Sequence, residues 1–204
     1  MLVIGAKGHA TEIAGVLAEQ NKTDQLFFYD DLSPDIGDLL FGQFKILKSE
    51  RDVKDLFQRD ARFVLGIGKP AHRKLLATKF TQLGGVLTSV ISPHAHIGKY
   101  DVHLQTGLNV MTGAVITQDV VIGEGTLINT HCSVHHGVRI GPYCELSPGS
   151  RVLGRAHIGS LVSIGSGAII LPDVRVGNNA TIGAGAVVTR DVPDGVTVKG
   201  VPAK

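Results

Sequence analysis

A six-residue rhythm in the second half of the chain restricts its fold more than any other feature. Every sixth residue from Leu104 reads Val110, Ile116, Ile122, Ile128, Val134, Ile140, Leu146, Val152, Ile158, Ile164, Ile170, Val176, Ile182 and Val188. All fifteen positions are branched aliphatic, and the register never slips. Four residues further on the side chain is mostly small, as at Ala114, Thr126, Cys132, Cys144, Ser150, Ala156, Ala168, Ala180 and Ala186. An amphipathic helix would place apolar residues at i, i+3, i+4 and i+7, which this stretch does not. Three hexapeptides instead make one three-sided coil, so each aliphatic stacks on the one 18 residues on. That is the pattern of a parallel β-helix. At the usual strand spacing, about five coils form a prism roughly 24 Å long. Gly123, Gly141, Gly159, Gly165, Gly177 and Gly183 follow the aliphatic directly and are expected to supply the backbone angles of the corners.

Upstream, Ile91 and Ile97 keep the spacing, but the step to Leu104 is seven, so one extra residue is expected near Asp101 to His103. Past Val188, the turn cluster at 190–195 is expected to end the prism. The repeat thus predicts a β-helix over 86–192 and a tail over 193–204.

Residues 1–85 follow a different rule. Leu2-Val3-Ile4-Gly5 reads as a buried strand, and Gly5 and Gly8 open a turn into a helix over 9–20. A second strand over 27–30 ends in Asp30-Asp31, and a charged helix over 52–58 leads to a third strand over 63–66. Gly68-Lys69-Pro70 then begins a long helix ending near Gly84-Gly85. Strands alternating with helices predict a small parallel sheet with helices packed on it, a Rossmann-like α/β domain. Ligands on such sheets bind beyond the carboxyl ends of the strands. There lie Lys7, Gly8, His9, Asp30, Asp31 and Lys69. Gly5-x-x-Gly8 lacks the full Gly-x-Gly-x-x-Gly pattern, which argues against NAD, and glycines that merely let the chain turn read the same way.

A net charge of +2 leaves no basic stripe for nucleic acid. No apolar run is long enough to span a membrane, and the start lacks the charged and apolar regions of a signal peptide, so a cytoplasmic protein is expected. Cys132 and Cys144 fall on the small inward position of the repeat, the place of a buried hydrophobe rather than of a metal ligand or nucleophile.

Polar residues between the aliphatics are mostly solvated surface. The stretch Asn129-Thr130-His131-Cys132-Ser133-Val134-His135-His136 differs, because it gathers three histidines and an asparagine in eight residues. Imidazole titrates near neutral pH and is the natural general base.

On these residues the chain resembles the bacterial sugar O- and N-acetyltransferases of the left-handed β-helix superfamily. The similarity is greatest to those that N-acetylate UDP-linked 4-amino sugars, with the sialic acid O-acetyltransferases beside them. It rests on Gly5-x-x-Gly8-His9, Phe28-Tyr29-Asp30-Asp31, residues 129–136, Ile140-Gly141 and the terminal Gly-Val-Pro-Ala-Lys. The resemblance implies a left-handed β-helix, an exception to the right-handed crossover rule, and a homotrimer with acetyl-CoA in the groove between neighbouring prisms. It also implies that the N-terminal domain holds a nucleotide-linked sugar. Carried over residue by residue, the catalytic histidine falls on His136, with Asn129 near the reacting centre. Nucleotide-sugar contacts fall on Lys7, Gly8, His9, Asp30, Asp31 and Lys69, and acetyl-CoA contacts on Glu145, Ser166 and Ala184. Two positions depart from the pattern. Gly137 stands where an acidic residue follows the histidine, and Glu145 replaces a histidine near the coenzyme. Asp119, one coil before Gly137, is expected to supply the missing carboxylate.

Two other readings stay open at this point. One is O-acetylation of a sialic acid or another sugar. The other is a zinc-dependent, carbonic-anhydrase-like β-helix enzyme using histidines such as His94, His96, His131 and His136. The nucleotide-type N-terminal domain and the acetyltransferase-like tail speak against the metal reading, so no metal ligand is expected.

Overall fold

The computed structural model describes residues 1–204. The N-terminal sheet contains β1 (Leu2–Ile4), β2 (Phe27–Tyr29), β3 (Leu39–Leu40), β4 (Phe44–Leu47), β5 (Arg62–Leu65) and β6 (Val86–Leu87) in the order β3-β4-β2-β1-β5-β6. All pairs are parallel except the β3–β4 hairpin, which the sequence pattern does not announce. Helices α1 (His9–Glu19), α2 (Glu50–Phe57) and α3 (Pro70–Gln82) connect the strands. Leu2 and Ile4 face one apolar cluster and Val3 the other, so β1 is buried on both faces, as a central parallel strand must be.

The sheet leads into a prism of three parallel sheets of seven, six and five strands. Face 1 stacks Val90–Ile91, Asn109–Val110, Leu127–Ile128, Glu145–Leu146, Ser163–Ile164, Thr181–Ile182 and Thr197–Val198. Face 2 runs from His96–Ile97 through Ser133–Val134 to Val187–Val188, and face 3 from Val102–Leu104 through Arg139–Ile140 to Arg175–Val176. Strand partners are 18 residues apart, as in Val134 with Val152 and Ile140 with Ile158. The inward aliphatics and small residues form one cluster of 28 buried side chains. Cys132 and Cys144 belong to it, and burial pushes the Cys144 thiol up to about 12.

Three details differ from the sequence reading. Val102 already pairs with Val120 while Ile97 pairs with Ile116, so the extra residue lies at 98–101, just before the expected place. Thr197–Val198 stacks on Thr181–Ile182 with a step of 16, so the prism continues beyond residue 192 in a shortened coil. The glycines after the aliphatics do not adopt the left-handed backbone of the corners. They are needed because coils touch there: a Cβ at Gly141 would lie 2.7 Å from the carbonyl carbon of Gly159. The left-handed position comes later in each corner, as at Asp119, Gly137, Arg155 and Asp173.

Candidate active site

The first half of the site lies at the carboxyl ends of β1, β2 and β5, where the strand order turns back on itself. A cavity of about 230 Å³ opens there between Gly5–Lys7, Tyr29–Ser33 and Gly66–Ile67. Gly5 has φ +106°, and a Cβ on it would sit 2.9 Å from the Gly66 carbonyl oxygen, so this glycine serves packing as well as turning. Gly8 caps α1 with open space around it and no capping side chain; the Ala10 and Thr11 N–H groups bond the Lys7 and Gly8 carbonyls at 2.9 Å each, so the His9 N–H is the helical donor left for an anion. Asp30 accepts bonds from the backbone N–H groups of Leu32 and Ser33 and from Ser33 Oγ, at 3.1, 2.9 and 3.0 Å. It therefore shapes the loop. Asp31 accepts from the Tyr29 hydroxyl at 2.8 Å, and burial with this bond holds that phenol well above its usual range.

Two expected contacts stand apart from the cavity. Lys69 is exposed at the start of α3. The His9 ring turns away into the domain seam, where Nδ1 meets Glu12 Oε2 at 3.0 Å and burial draws the imidazole below its ordinary value. His9 can serve a nucleotide through its backbone N–H on α1, not through its ring.

That seam contains a residue the sequence reading missed. Arg73 is fully buried on α3. Its Nε donates to Gly125 O at 2.7 Å, Nη1 to Leu65 O and Ile67 O at 3.2 and 2.6 Å, and Nη2 to Asn109 Oδ1 at 2.6 Å. Burial pushes the guanidinium down to about 9, opposed by the nearby Glu145 and Tyr143, and it stays charged at neutral pH. One side chain thus ties the loop after β5 to the first coils of the prism. Pro70, Arg73, Ala77 and Phe80 share the buried side of α3, so a charge at apolar spacing was the available signal.

The second half of the site lies on the prism. His136 is exposed on the corner between faces 2 and 3, and His135 beside it bonds Ser133 Oγ through Nε2 at 3.3 Å. The α/β domain covers the first coils of face 1 and of the corner between faces 3 and 1, where Val90, Met111 and Leu127 join its apolar cluster and Leu87 and Tyr143 flank the other. The His136 corner is opposite that covered face. Asn129, Ser166 and Ala184 lie on the third corner, between faces 1 and 2, together with His131. Within one chain, face 2 separates them from His136. Asn129 is buried and turns its Oδ1 onto the Thr130 N–H at 2.7 Å. Ser166 and Ala184 are exposed one coil apart, with empty space beside Gly167 and Gly185.

Glu145 is on face 1 at the seam. Its Oε1 would lie 3.1 Å from a Cβ at Gly68 and accepts from Ser147 Oγ at 3.3 Å, so it faces the loop before Lys69 and not the Ser166–Ala184 strip. Asp119 lies one coil from Gly137, whose N–H its carbonyl accepts at 2.9 Å, but its carboxylate pairs with Arg139 Nη2 at 2.6 Å rather than with His136. Arg139 also donates to the Asp119 carbonyl, which closes that pair on itself. No three His, Cys, Asp or Glu side chains converge within the chain to hold a metal ion.

Comparison with known proteins follows the same division. Residues 1–80 match the PglD N-terminal domain, and residues 119–154 and 155–190 match the bacterial transferase hexapeptide, six repeats. No curated protein matches the sequence. Among solved structures, a mutant of perosamine N-acetyltransferase from Caulobacter crescentus, in complex with CoA and GDP-perosamine, is 32% identical with a TM-score of 0.91. The match covers 100% of this chain and 94% of that one. The acetyltransferase domain of PglB from Neisseria gonorrhoeae, in complex with acetyl coenzyme A, is 30% identical with a TM-score of 0.90, covering 100% and 97%. WeeI from Acinetobacter baumannii is 28% identical with a TM-score of 0.88, covering 100% and 97%. With its N-terminal sheet, its left-handed parallel β-helix and this full-length similarity, the chain belongs to the hexapeptide-repeat sugar acetyltransferases that carry a PglD-type N-terminal domain.

Proposed function

We propose that the protein transfers the acetyl group of acetyl-CoA to the amino group of a nucleotide-linked amino sugar. The observation that carries this reading is the match of both domains, in the same order, to a protein whose structure holds CoA and GDP-perosamine together. The chain's own geometry supports it. The cavity beyond β1, β2 and β5 offers the open start of α1 to a diphosphate and the Asp30–Asp31 turn to the rest of the nucleotide. The strip at Ser166 and Ala184 has room for an extended thioester chain.

His136 serves as the general base. As the amine nitrogen attacks the thioester carbonyl, the imidazole takes its proton. The C–S bond then breaks, and the CoA sulfur leaves and recovers the proton. A backbone N–H at the corner stabilises the oxyanion.

This chemistry needs neighbouring subunits, because one chain keeps its nucleotide cavity and coenzyme strip on corners away from His136. A homotrimer brings one prism's corner between faces 1 and 2 to the next prism's His136. Face 2 suits the contact, since its outward side chains include Val115, Ile169 and Val187. A monomer at micromolar concentration in sedimentation defeats the trimer.

The test of function is incubation with acetyl-CoA and either GDP-perosamine or a UDP-linked 4-amino sugar, reading free thiol and product mass. Acetylation of an amino sugar is expected. Acetylation of a free sialic acid with none of the amino sugars overturns the reading.

A further inference from the structure

Face 3 of the prism carries positive charge that the acetyl transfer outlined above leaves unused. Its outward side chains in successive coils are Arg139, His157 and Arg175, each the direct strand partner of the next. The outward positions of the same coils are Ser163 and Thr181 on face 1, and Arg151, Ile169 and Val187 on face 2. A groove of about 600 Å³ runs over the face 3 column and is closed at its far end by Asp191, Val192 and Pro193. That segment is fastened to the last strand: the Val192 N–H donates to the Arg175 carbonyl at 2.9 Å, and the Gly177 N–H to the Val192 carbonyl at 2.8 Å.

The charges along the groove are not equally free. Arg139 is held by Asp119. At the adjoining corner, Arg155 Nε and Nη2 bind both oxygens of Asp173 at 2.7 and 2.8 Å, so that pair is closed as well. Asp191 spends its Oδ1 on the backbone N–H of Arg175, at 2.8 Å. The Arg175 guanidinium itself is exposed and has no partner within the chain. His157 donates from Nδ1 to the Arg155 carbonyl at 3.2 Å, and its Nε2 has no partner. An anion beside it favours the imidazolium, which donates from Nε2 too.

We propose that face 3 is the phosphate-binding wall of the coenzyme cleft, where Arg175, with His157 beside it, takes a phosphate of coenzyme A. The inference rests on the acetyl-transfer reading and its trimer. Bringing the corner between faces 1 and 2 to the next prism's corner between faces 2 and 3 turns face 2 inward. Face 1 of one prism and face 3 of the next are then the walls of an open cleft. Of these, the face 1 wall offers only hydroxyls in its later coils, and face 3 offers the cations. Arg175 falls between Ser166 and Ala184 in the winding, two coils or about 10 Å beyond Arg139. A coenzyme with its thioester at His136 and its arm along Ser166 and Ala184 thus carries its diphosphate and 3′-phosphate toward Arg175. A guanidinium matches phosphate oxygens in charge and in geometry.

The test is calorimetric binding of CoA to the whole chain, without acceptor, at low and high salt. Arg175→Ala is expected to weaken CoA about tenfold at low salt, as loss of a charge-assisted contact. The difference narrows as salt screens the attraction. The guanidinium makes no bond within the chain, so the variant keeps the wild-type melting temperature. Arg175→Lys restores part of the affinity. Dephospho-CoA, which lacks the 3′-phosphate, tells the two sources apart: the same loss places the diphosphate at Arg175, and no loss places the 3′-phosphate there. Acetyl-pantetheine carries no phosphate, and its KM with GDP-perosamine is expected to be the same in Arg175→Ala and wild type. Unchanged CoA affinity in Arg175→Ala overturns the proposal, as does a rise in the KM for acetyl-pantetheine equal to that for acetyl-CoA. So does a changed oligomeric state in sedimentation, which marks face 3 as a contact between copies. A wild type that binds no CoA defeats the acetyl-transfer reading itself, which separates the two failures.

Discussion

The seam around Arg73 and the corner around His136 are opposite in construction. At the seam, every bond of the guanidinium ends on an atom of the same chain, and the group is fully buried. At the corner, the imidazole is exposed, and the residues expected to share its chemistry lie on other edges of the prism. A group closed within one chain is expected to set stability, whereas the proposed function has the open group act with a neighbour and set activity. Substitutions at the two places should therefore separate the two properties.

The largest effect is expected at the corner. His136→Ala lowers kcat by about 10²–10⁴-fold through loss of the general base, with the melting temperature within a degree or so of wild type, as for an exposed surface change. His135→Ala, whose ring bonds Ser133, changes kcat only a few-fold. A His135 variant as inactive as the His136 variant breaks the comparison by moving the base.

Next comes the face expected to join the corners. Ile169→Asp places a charge among the outward apolar residues of face 2 and is expected to yield a monomer that keeps its β-rich circular dichroism. Its turnover falls by an order of magnitude or more. Full activity in a sedimenting monomer shows that one chain completes the site.

Arg73→Met tests the seam from the other side. It strands Asn109 Oδ1 and backbone carbonyls in a buried place, at a cost of about 3 kcal/mol. The denaturation midpoint drops, while residual kcat per folded molecule stays within a few-fold. An unchanged midpoint refutes the assignment of stability to the seam.

The smallest effect belongs to a partly exposed tie inside the N-terminal domain. Asp60 binds the N-terminal amine at 2.8 Å and Arg62 Nε at 2.8 Å, and Arg62 chiefly holds its carboxyl far below the usual range. A lowered carboxylate stabilises the fold above its unfolded value, near 3.9, and loses this as pH falls toward the folded value. Asp60→Asn is expected to cost about 1 kcal/mol at pH 7. The two melting curves should converge below about pH 4; a constant difference down to pH 2 rules the linkage out.

The prism was legible because each coil repeats the same local demand. An aliphatic every sixth residue stacks at a fixed 18-residue step, so Ile122 finds Ile140 and Ile158 with no long-range information. The α/β domain was legible for a similar reason, in its alternation of apolar strands and helices. The β3–β4 hairpin was not, because Leu39–Leu40 carries only two residues of pattern. Gly137 was visible as a departure, but its physical cause, the Arg155 side chain above it, came only from the stacking.

Sequence alone therefore determined the β-helix, the preceding α/β domain and the histidine-rich stretch 129–136, since these rest on periodicity and on residues close together in the chain, whereas the choice of His136 within that stretch came from the family resemblance. Tertiary structure alone decided which charges meet. It gave Asp119 to Arg139, Asp173 to Arg155, Glu145 to the Gly68 loop, and Arg73 to the carbonyls of the seam. A side chain's partner depends on the direction it takes from its corner and on what the next coil or domain places there, and no spacing in the sequence encodes either.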